Sequence, residues 1–433
     1  MSGRTITPFR AGQLKPDAAI YWLPAFCAFY GIVVHVVAMY LDPHSSFTNV
    51  YLNLNERQLS ARAGIPTSWP QWFQGGDDRF TLKQAALIYI NFLNDAVQTQ
   101  FAQAGIWILT CTLAPMLLYF SIESMKTGRA AGLGAATLIV SAALGQIGLA
   151  GFSFNVIAIP VYAWTRHSET TKAIIKNKDT NAKSPDKEGG RAIIHPQPSP
   201  SASKVNTAVF LLNIIAVIVG LALHTPQAYK TPALIANIAF WFYPVVLLPL
   251  LFPPLPGPKV SVADNPFAKL PKGTRRTAAA DAYAFLAKAC FALWIVSLVL
   301  IAPSLYHKVQ HTRKMISSFG GYFGIPGTVY KLGFREFCKL TFPVTYAEWT
   351  ILLDISGLIL AAYSIVFIDM VCDDWTMSAF SGRVPGFIRH TKKRYIMEDV
   401  IVGSGPALVW GPGYSLATYF ELRERSAEAA RNK

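Results

Sequence analysis

The sequence predicts an all-α fold, a polytopic transmembrane helical bundle of about seven or eight spans. Three observations carry that expectation. Only 15% of the 433 residues are charged and 52% are hydrophobic, whereas soluble globular chains carry about 25% charged residues. The mean hydropathy is +0.33. Apolar runs of about 20 residues, enough to cross a bilayer, recur along the whole chain.

Taken in order, Ala18–Tyr40 is too long for the apolar part of a cleaved leader and lacks a small-residue cleavage site, so it reads as a true span. Before the second span, Leu82, Ala86, Tyr89, Leu93, Val97 and Phe101 recur at spacings of three and four. That period argues an amphipathic helix that lies in the interface or caps a cavity. Ala104–Ile122 is the second span. Ala131–Trp164 is too long for one straight helix and is broken by Gly145, Gly148, Gly151 and Pro160. It reads either as one kinked helix or as a span with a re-entrant turn, since broken backbone at depth is tolerated when protein covers it. The choice flips the parity of everything downstream, and the Lys and Arg content of the loops favours neither orientation.

The second half begins after Glu169–Lys204, a stretch rich in Ser, Pro, Lys and Asn that reads as a disordered connector. Thr207–Thr225, Pro232–Phe252, Ala282–Ala302 and Trp349–Met370 then supply four more spans. The short connection His224–Thr231 is expected opposite the basic loops on either side of it. Tyr395–Phe420 is weaker, being interrupted by Gly403, Gly405, Pro406, Gly411, Pro412 and Gly413 and carrying Glu398 and Asp399. The chain therefore reads as one integral membrane domain over 1–433. Its first part, 1–164, holds about three or four spans, 165–205 is the connector, and 206–433 holds about four or five.

The net charge of +15 lies largely in loop clusters at Arg166–Lys204, Lys259–Arg276, Lys308–Lys339 and Arg383–Arg394. Such clusters suit anionic lipid headgroups, and are read first as positive loops retained on the cytosolic side. Nucleic-acid binding is not expected, because no soluble domain gathers basic and aromatic residues on one face. Cys27, Cys111, Cys290, Cys338 and Cys372 show no paired spacing and read as packing residues. No internal repeat is evident, which argues against an inverted-repeat transporter.

Metal and cofactor signatures are not found. Asp373-Asp374-Trp375-Thr376-Met377 lacks the third acid of a magnesium-diphosphate motif, and Val371 stands where an Asp-x-Asp-Asp acid motif needs its first aspartate. His307 and His311 form a lone pair in a basic loop, short of the ligand count of a metal site. No nucleophile elbow, phosphate loop or dinucleotide fingerprint occurs. The remaining chemistry lies in acids placed in or beside the membrane. Asp95 ends the amphipathic helix, Glu123 ends the second span, Asp369, Asp373 and Asp374 end the seventh, and Glu398 and Asp399 begin the eighth. Asp354 lies deepest, within Trp349–Met370. A charge at that depth costs roughly 2.5–3.5 kcal/mol on insertion scales and is usually turned to a bundle interior. Desolvation disfavours the charged form of a carboxyl, which makes Asp354 the candidate proton donor. A hydrogen bond to Asn213 or Asn237 is its structural alternative. Aromatics form the second part of the pattern: Phe240, Trp241, Phe242 and Tyr243 run consecutively, and Phe291, Trp294 and Tyr363 also lie inside spans. Their π-faces would stabilise a passing cation.

With its Trp22-Leu23-Pro24 entry, its Gly145–Gly151 break running into Pro160-Val161-Tyr162, and its acid-bearing Trp349–Asp374 segment, the chain resembles the fungal membrane-bound meroterpenoid terpene cyclases of the ascofuranone/ascochlorin type. The resemblance covers most of the length. It implies a membrane-bound terpene cyclase, sited in the endoplasmic reticulum, that protonates a terminal epoxide or olefin of a farnesylated aromatic or polyketide precursor. It implies no metal, no cofactor and no diphosphate loss. In that reading Asp354 donates the proton. Glu398, Asp95 or Asp369 assists, and Trp241, Trp294 and Tyr363 bind the substrate. A proton-coupled transporter or exporter of small molecules is the competing expectation, because membrane acids also serve proton relays.

Overall fold

The computed structural model describes residues 16–39, 51–79, 81–126, 133–169, 199–226, 229–251, 277–322, 345–372 and 410–431. Every element among them is helical. Five helices are long and apolar enough to cross a membrane, over Tyr21–Ala38, Gln100–Ser124, Ala202–His224, Ala278–His311 and Tyr346–Asp369. Two further runs expected as spans are broken helices, and the greater part of the eighth lies outside the described residues.

The chain begins with α1 (Pro16–Met39), followed by α2 (Glu56–Arg62), α3 (Leu82–Ala96) and α4 (Gln100–Ser124). Local sequence sets their starts. Asn55 and Gln58 form a reciprocal capping box for α2, while the hydroxyls of Thr81 and Thr99 accept the Gln84 and Ala102 N–H groups of α3 and α4. The helix expected before the second span is α3; of its expected apolar face Leu93 is buried, Ala86 and Tyr89 are half-buried and Leu82 is exposed, while Leu87 and Ile90 beside them are buried.

The ambiguous 131–164 stretch folds as a hairpin. Its inward arm is α5 (Leu133–Ile147). The return arm, α6, starts at Ala150, passes through a π turn at Phe154–Ala158 and stays helical to residue 169. Gly134 packs on Ser124, and Arg166 at the far end of α6 lies 3.4 Å from Asp369. Both arms therefore open at the end of the bundle where α4 finishes. One kinked crossing is excluded, because the chain returns to the end it entered from. The glycines explain the close turn. A Cβ on Gly151 would stand 2.6 Å from the Asp354 carbonyl oxygen and 2.9 Å from Gly357 Cα, so only glycine lets these two backbones cross.

After α7 (Ala202–His224) the chain turns back through α8 (Lys230–Trp241), breaks before Pro244, and continues as short turns at Tyr243–Val246 and Leu248–Leu251. Proline lacks the N–H that would continue the ladder. The long α9 (Ala278–Tyr322), α10 (Tyr346–Cys372) and α11 (Pro412–Arg431) complete the bundle. Side-chain contacts give their sense. Tyr346 meets Asp95 at one end, and Tyr119 meets Asp369 at the other, so α4 and α10 run parallel. Ser199, just before α7, reaches Glu424 at the Asp369 end, and α7 finishes at the opposite end, where His224 meets Trp107. The His224 end of α7 thus lies at the opposite end of the bundle from Arg166 and Ser199, while most of the basic loops on either side lie outside the described residues. Cys27, Cys111 and Cys290 are buried and unpaired, in keeping with packing roles.

Candidate functional site: an apolar cavity walled by Asp354

The hairpin tip, α3, α4, α7, α8 and α10 line a partly open apolar cavity of about 120 Å³, set within about 1090 Å³ of atom-free space that includes its mouth. Tyr89, Phe92, Phe240 and Tyr243 supply its aromatic wall; Gln146, Thr350 and Asp354 supply polar groups. The amphipathic spacing of α3 brings Tyr89 and Phe92 here, and the break before Pro244 turns Tyr243 inward. This is the usual composition of a small-molecule site, mostly apolar with a few placed polar atoms.

Asp354 is 8% exposed. Its Oδ1 accepts the Gly151 N–H in a short hydrogen bond, and the Ala150 N–H also bonds the carboxylate. These are the first free N–H groups of α6, whose preceding residue, Leu149, supplies no side-chain cap. Asp354 thus caps the hairpin tip from a neighbouring helix. Neither asparagine considered as its partner bonds it: Asn213 is exposed, and Asn237 donates to Asn94 at 2.6 Å. Asn155 locks the same crossing by donating to the Gly151 and Gly357 carbonyls at 2.6 and 2.7 Å.

The other expected acids do not converge on the cavity. Asp369 is fifteen residues further along α10, roughly 22 Å away at 1.5 Å per residue, and is 0% exposed. It accepts hydrogen bonds from Tyr119 at 3.0 Å and, in a short bond, from Tyr162. Arg423 Nε lies 3.0 Å from its Oδ2, an ion pair not aligned as a hydrogen bond. Arg423 also holds Glu123 at 2.5 Å, and Lys126 bridges Glu123 and Glu424 at 2.8 and 2.5 Å. Asp369 is therefore a member of a buried ion network.

Asp95 is at the opposite end, with its side chain 22% exposed. It receives the hydroxyls of Tyr51 and Tyr346 and pairs with Arg62 at 2.9 Å. Burial, with the neighbouring Tyr346 and Asp95, pushes the Tyr51 hydroxyl far above its ordinary range, so Tyr51 stays a donor to Asp95. Glu398 lies outside the described residues.

The three aromatics expected to bind substrate do not line the cavity. Trp241 faces Phe242 edge-on, one residue beyond the wall residue Phe240. Trp294 packs on Gly411, where a Cβ would stand 2.7 Å from its ring. Tyr363 lies on α10 away from the lining. Gln146 and Thr350 went unrecognised from sequence. A lone Gln in an apolar arm and a Thr near a helix start carry no signal until the hairpin brings them together.

The described residues define an all-helical protein with five helices long and apolar enough to cross a membrane and a partly open apolar cavity bearing one buried carboxyl. No protein-family model matches the chain, and neither a curated protein nor a solved structure matches it.

Proposed function

We propose that the protein is a membrane-bound terpene cyclase of the endoplasmic reticulum, acting on a farnesylated aromatic or polyketide precursor. The observation that carries this reading is the pairing of Asp354 with an aromatic-walled apolar cavity. Asp354 protonates the terminal epoxide oxygen or olefin. The C–O bond opens or the π bond is consumed, neighbouring double bonds close the rings, and the last cation returns a proton, leaving an isomer of equal mass. The Ala150 and Gly151 N–H groups then face the carboxylate that proton donation leaves. Tyr89, Phe92, Phe240 and Tyr243 present π-faces to the migrating positive charge. Asp95 and Asp369 are held by their own partners, and their part is in the scaffold. A precursor larger than the cavity extends through the mouth, so that only its reacting end is shut away from water. Counting both hairpin arms and the broken 229–251 segment with the five long helices gives about eight membrane-embedded segments.

One observation favours the competing reading, a small-molecule transporter. Helices broken beside a buried binding site, as at 148–149 and near Pro244, are also how transporters coordinate cargo at mid-membrane. Expression in a clean host fed the linear precursor separates the two. A new isomer of the same mass is expected. Unchanged precursor moved across the membrane would establish transport and end the cyclase reading.

A further inference from the structure

Most buried polar side chains of the bundle satisfy themselves. Asn91 donates to the Leu59 and Leu87 carbonyls at 2.9 and 2.8 Å. Thr110 and Thr112 turn their hydroxyls back onto the Ile106 and Ile108 carbonyls, one helical turn earlier, at 2.8 and 2.9 Å. Several buried atoms have no such partner, Ser141 Oγ and Trp349 Nε1 among them, and two of the residues that carry them line the cavity. Gln146 is 7% exposed and its Oε1 has no hydrogen-bond partner; Thr350 is 2% exposed and its Oγ1 has none. The Gln146 amide also stands beside the hydroxyls of Tyr89 and Tyr243. Turning the amide over would only exchange which end is left without a partner. Buried polar atoms are nearly always paired, and an unpaired one in a cavity wall marks where a ligand group completes the bonding.

We infer that the cavity selects an apolar ligand that carries a hydroxyl group, and that Gln146 and Thr350 are the specificity-determining residues that read it. Gln146 Oε1 accepts the ligand's O–H, and the Thr350 hydroxyl supplies a second polar contact on the α10 wall, one turn before Asp354. Gln146 lies on the inward arm, two residues before the break, and Thr350 on the helix that caps the return arm. Hydroxyl recognition is thereby built into the same joint that holds the hairpin closed. The inference concerns the cavity of the proposed cyclase but rests on ligand binding there, independently of ring closure.

The test measures binding of a farnesyl-substituted phenol and of its O-methyl ether to the full chain in lipid nanodiscs. Losing one neutral hydrogen bond is expected to weaken the ether roughly tenfold relative to the phenol. Gln146→Leu and Thr350→Val should each shrink that ratio, and together bring it to about one, while ether affinity stays within about twofold. Thr112→Val, which removes a buried hydroxyl outside the cavity that is already satisfied, should leave the ratio unchanged. Thr350→Val is nearly isosteric and keeps the test alive should Gln146→Leu fail to fold. Equal binding of the two probes by the native protein would overturn the inference, as would an undiminished preference in the variants or no binding of either probe. A phenol preference without any isomer formed sinks the cyclase reading and leaves this one standing. Isomer formed without a phenol preference does the reverse.

Discussion

Asp354 and Asp369 sit on one helix, both buried, and answer burial in opposite ways. Asp369 is surrounded by full charges and tyrosine hydroxyls, with Arg423, Arg166, Tyr119 and Tyr162 converging on its two oxygens. No cation among the described residues pairs with Asp354; it has two backbone N–H groups and an apolar cavity beside it. The first arrangement ties α4, α6, α10 and α11 together through ion pairs and hydrogen bonds. The second leaves a carboxyl at the cavity wall with backbone N–H groups as its only described partners. Burial alone therefore does not mark an acid for chemistry; the partners decide.

The sharpest way to break the comparison is to strip the network. Arg423→Met leaves Glu123 and Asp369 buried with a cation missing, and breaking a buried pair costs about 3–5 kcal/mol. Fluorescence-detected size exclusion should show loss of the folded species. Survival of a native-like peak would mean that Asp369 is not held as described. Next in size is Gly151→Ala, whose Cβ must displace the Asp354 carbonyl and Gly357. Overpacking of this kind costs about 1–3 kcal/mol, and thermal unfolding in nanodiscs should fall accordingly. Asp354→Ala removes the cap of the hairpin tip and should cost about 1 kcal/mol, the usual worth of such a cap, with less protection of 148–153 in hydrogen exchange.

A third carboxylate supplies the smallest effect and a control. Glu56, outside the spans, accepts the Gly76 N–H at 3.0 Å and the Thr81 hydroxyl, with Lys83 at 3.4 Å. Burial pushes its carboxyl up, but these partners outweigh it and hold the group below its ordinary value. Because the folded pKa is the lower one, the stabilisation is complete above the unfolded carboxyl's pKa and is lost as pH falls through the folded value. Proteolysis of the 51–79 segment should quicken on acidification, and Glu56→Gln should flatten that dependence. An identical acid response in the variant would assign it to another group.

Much of the scaffold was legible in the sequence because hydropathy and period report burial directly. The five long helices and the amphipathic α3 follow from that signal alone. The 131–164 stretch did not resolve, since the same glycines serve a kink or a hairpin. What decides is the fit of Gly151 against Gly357 and the cap that Asp354 provides, both long-range contacts. Asp354 itself stood out as an acid in an apolar run. Arg423 and Glu424 did not, because they lie in the polar half of α11, where charge reads as solvated surface. The aromatic run seen in the sequence reaches the cavity through Phe240 and Tyr243, whereas Trp241, the member expected to contact substrate, is not among the lining residues.

The central claim is that Asp354 transfers a proton to the ligand in the cavity. Asparagine keeps an oxygen to cap Ala150 and Gly151 but has no proton of that acidity to give. Purified native protein and Asp354→Asn, both in nanodiscs, should therefore be compared for isomer formed from a farnesylated phenol terminal epoxide, with binding of the same compound measured in parallel. The account predicts that the variant binds the epoxide and forms product at least about a hundredfold more slowly, the scale of a lost general acid. Turnover at the native rate by a variant that still binds would contradict it.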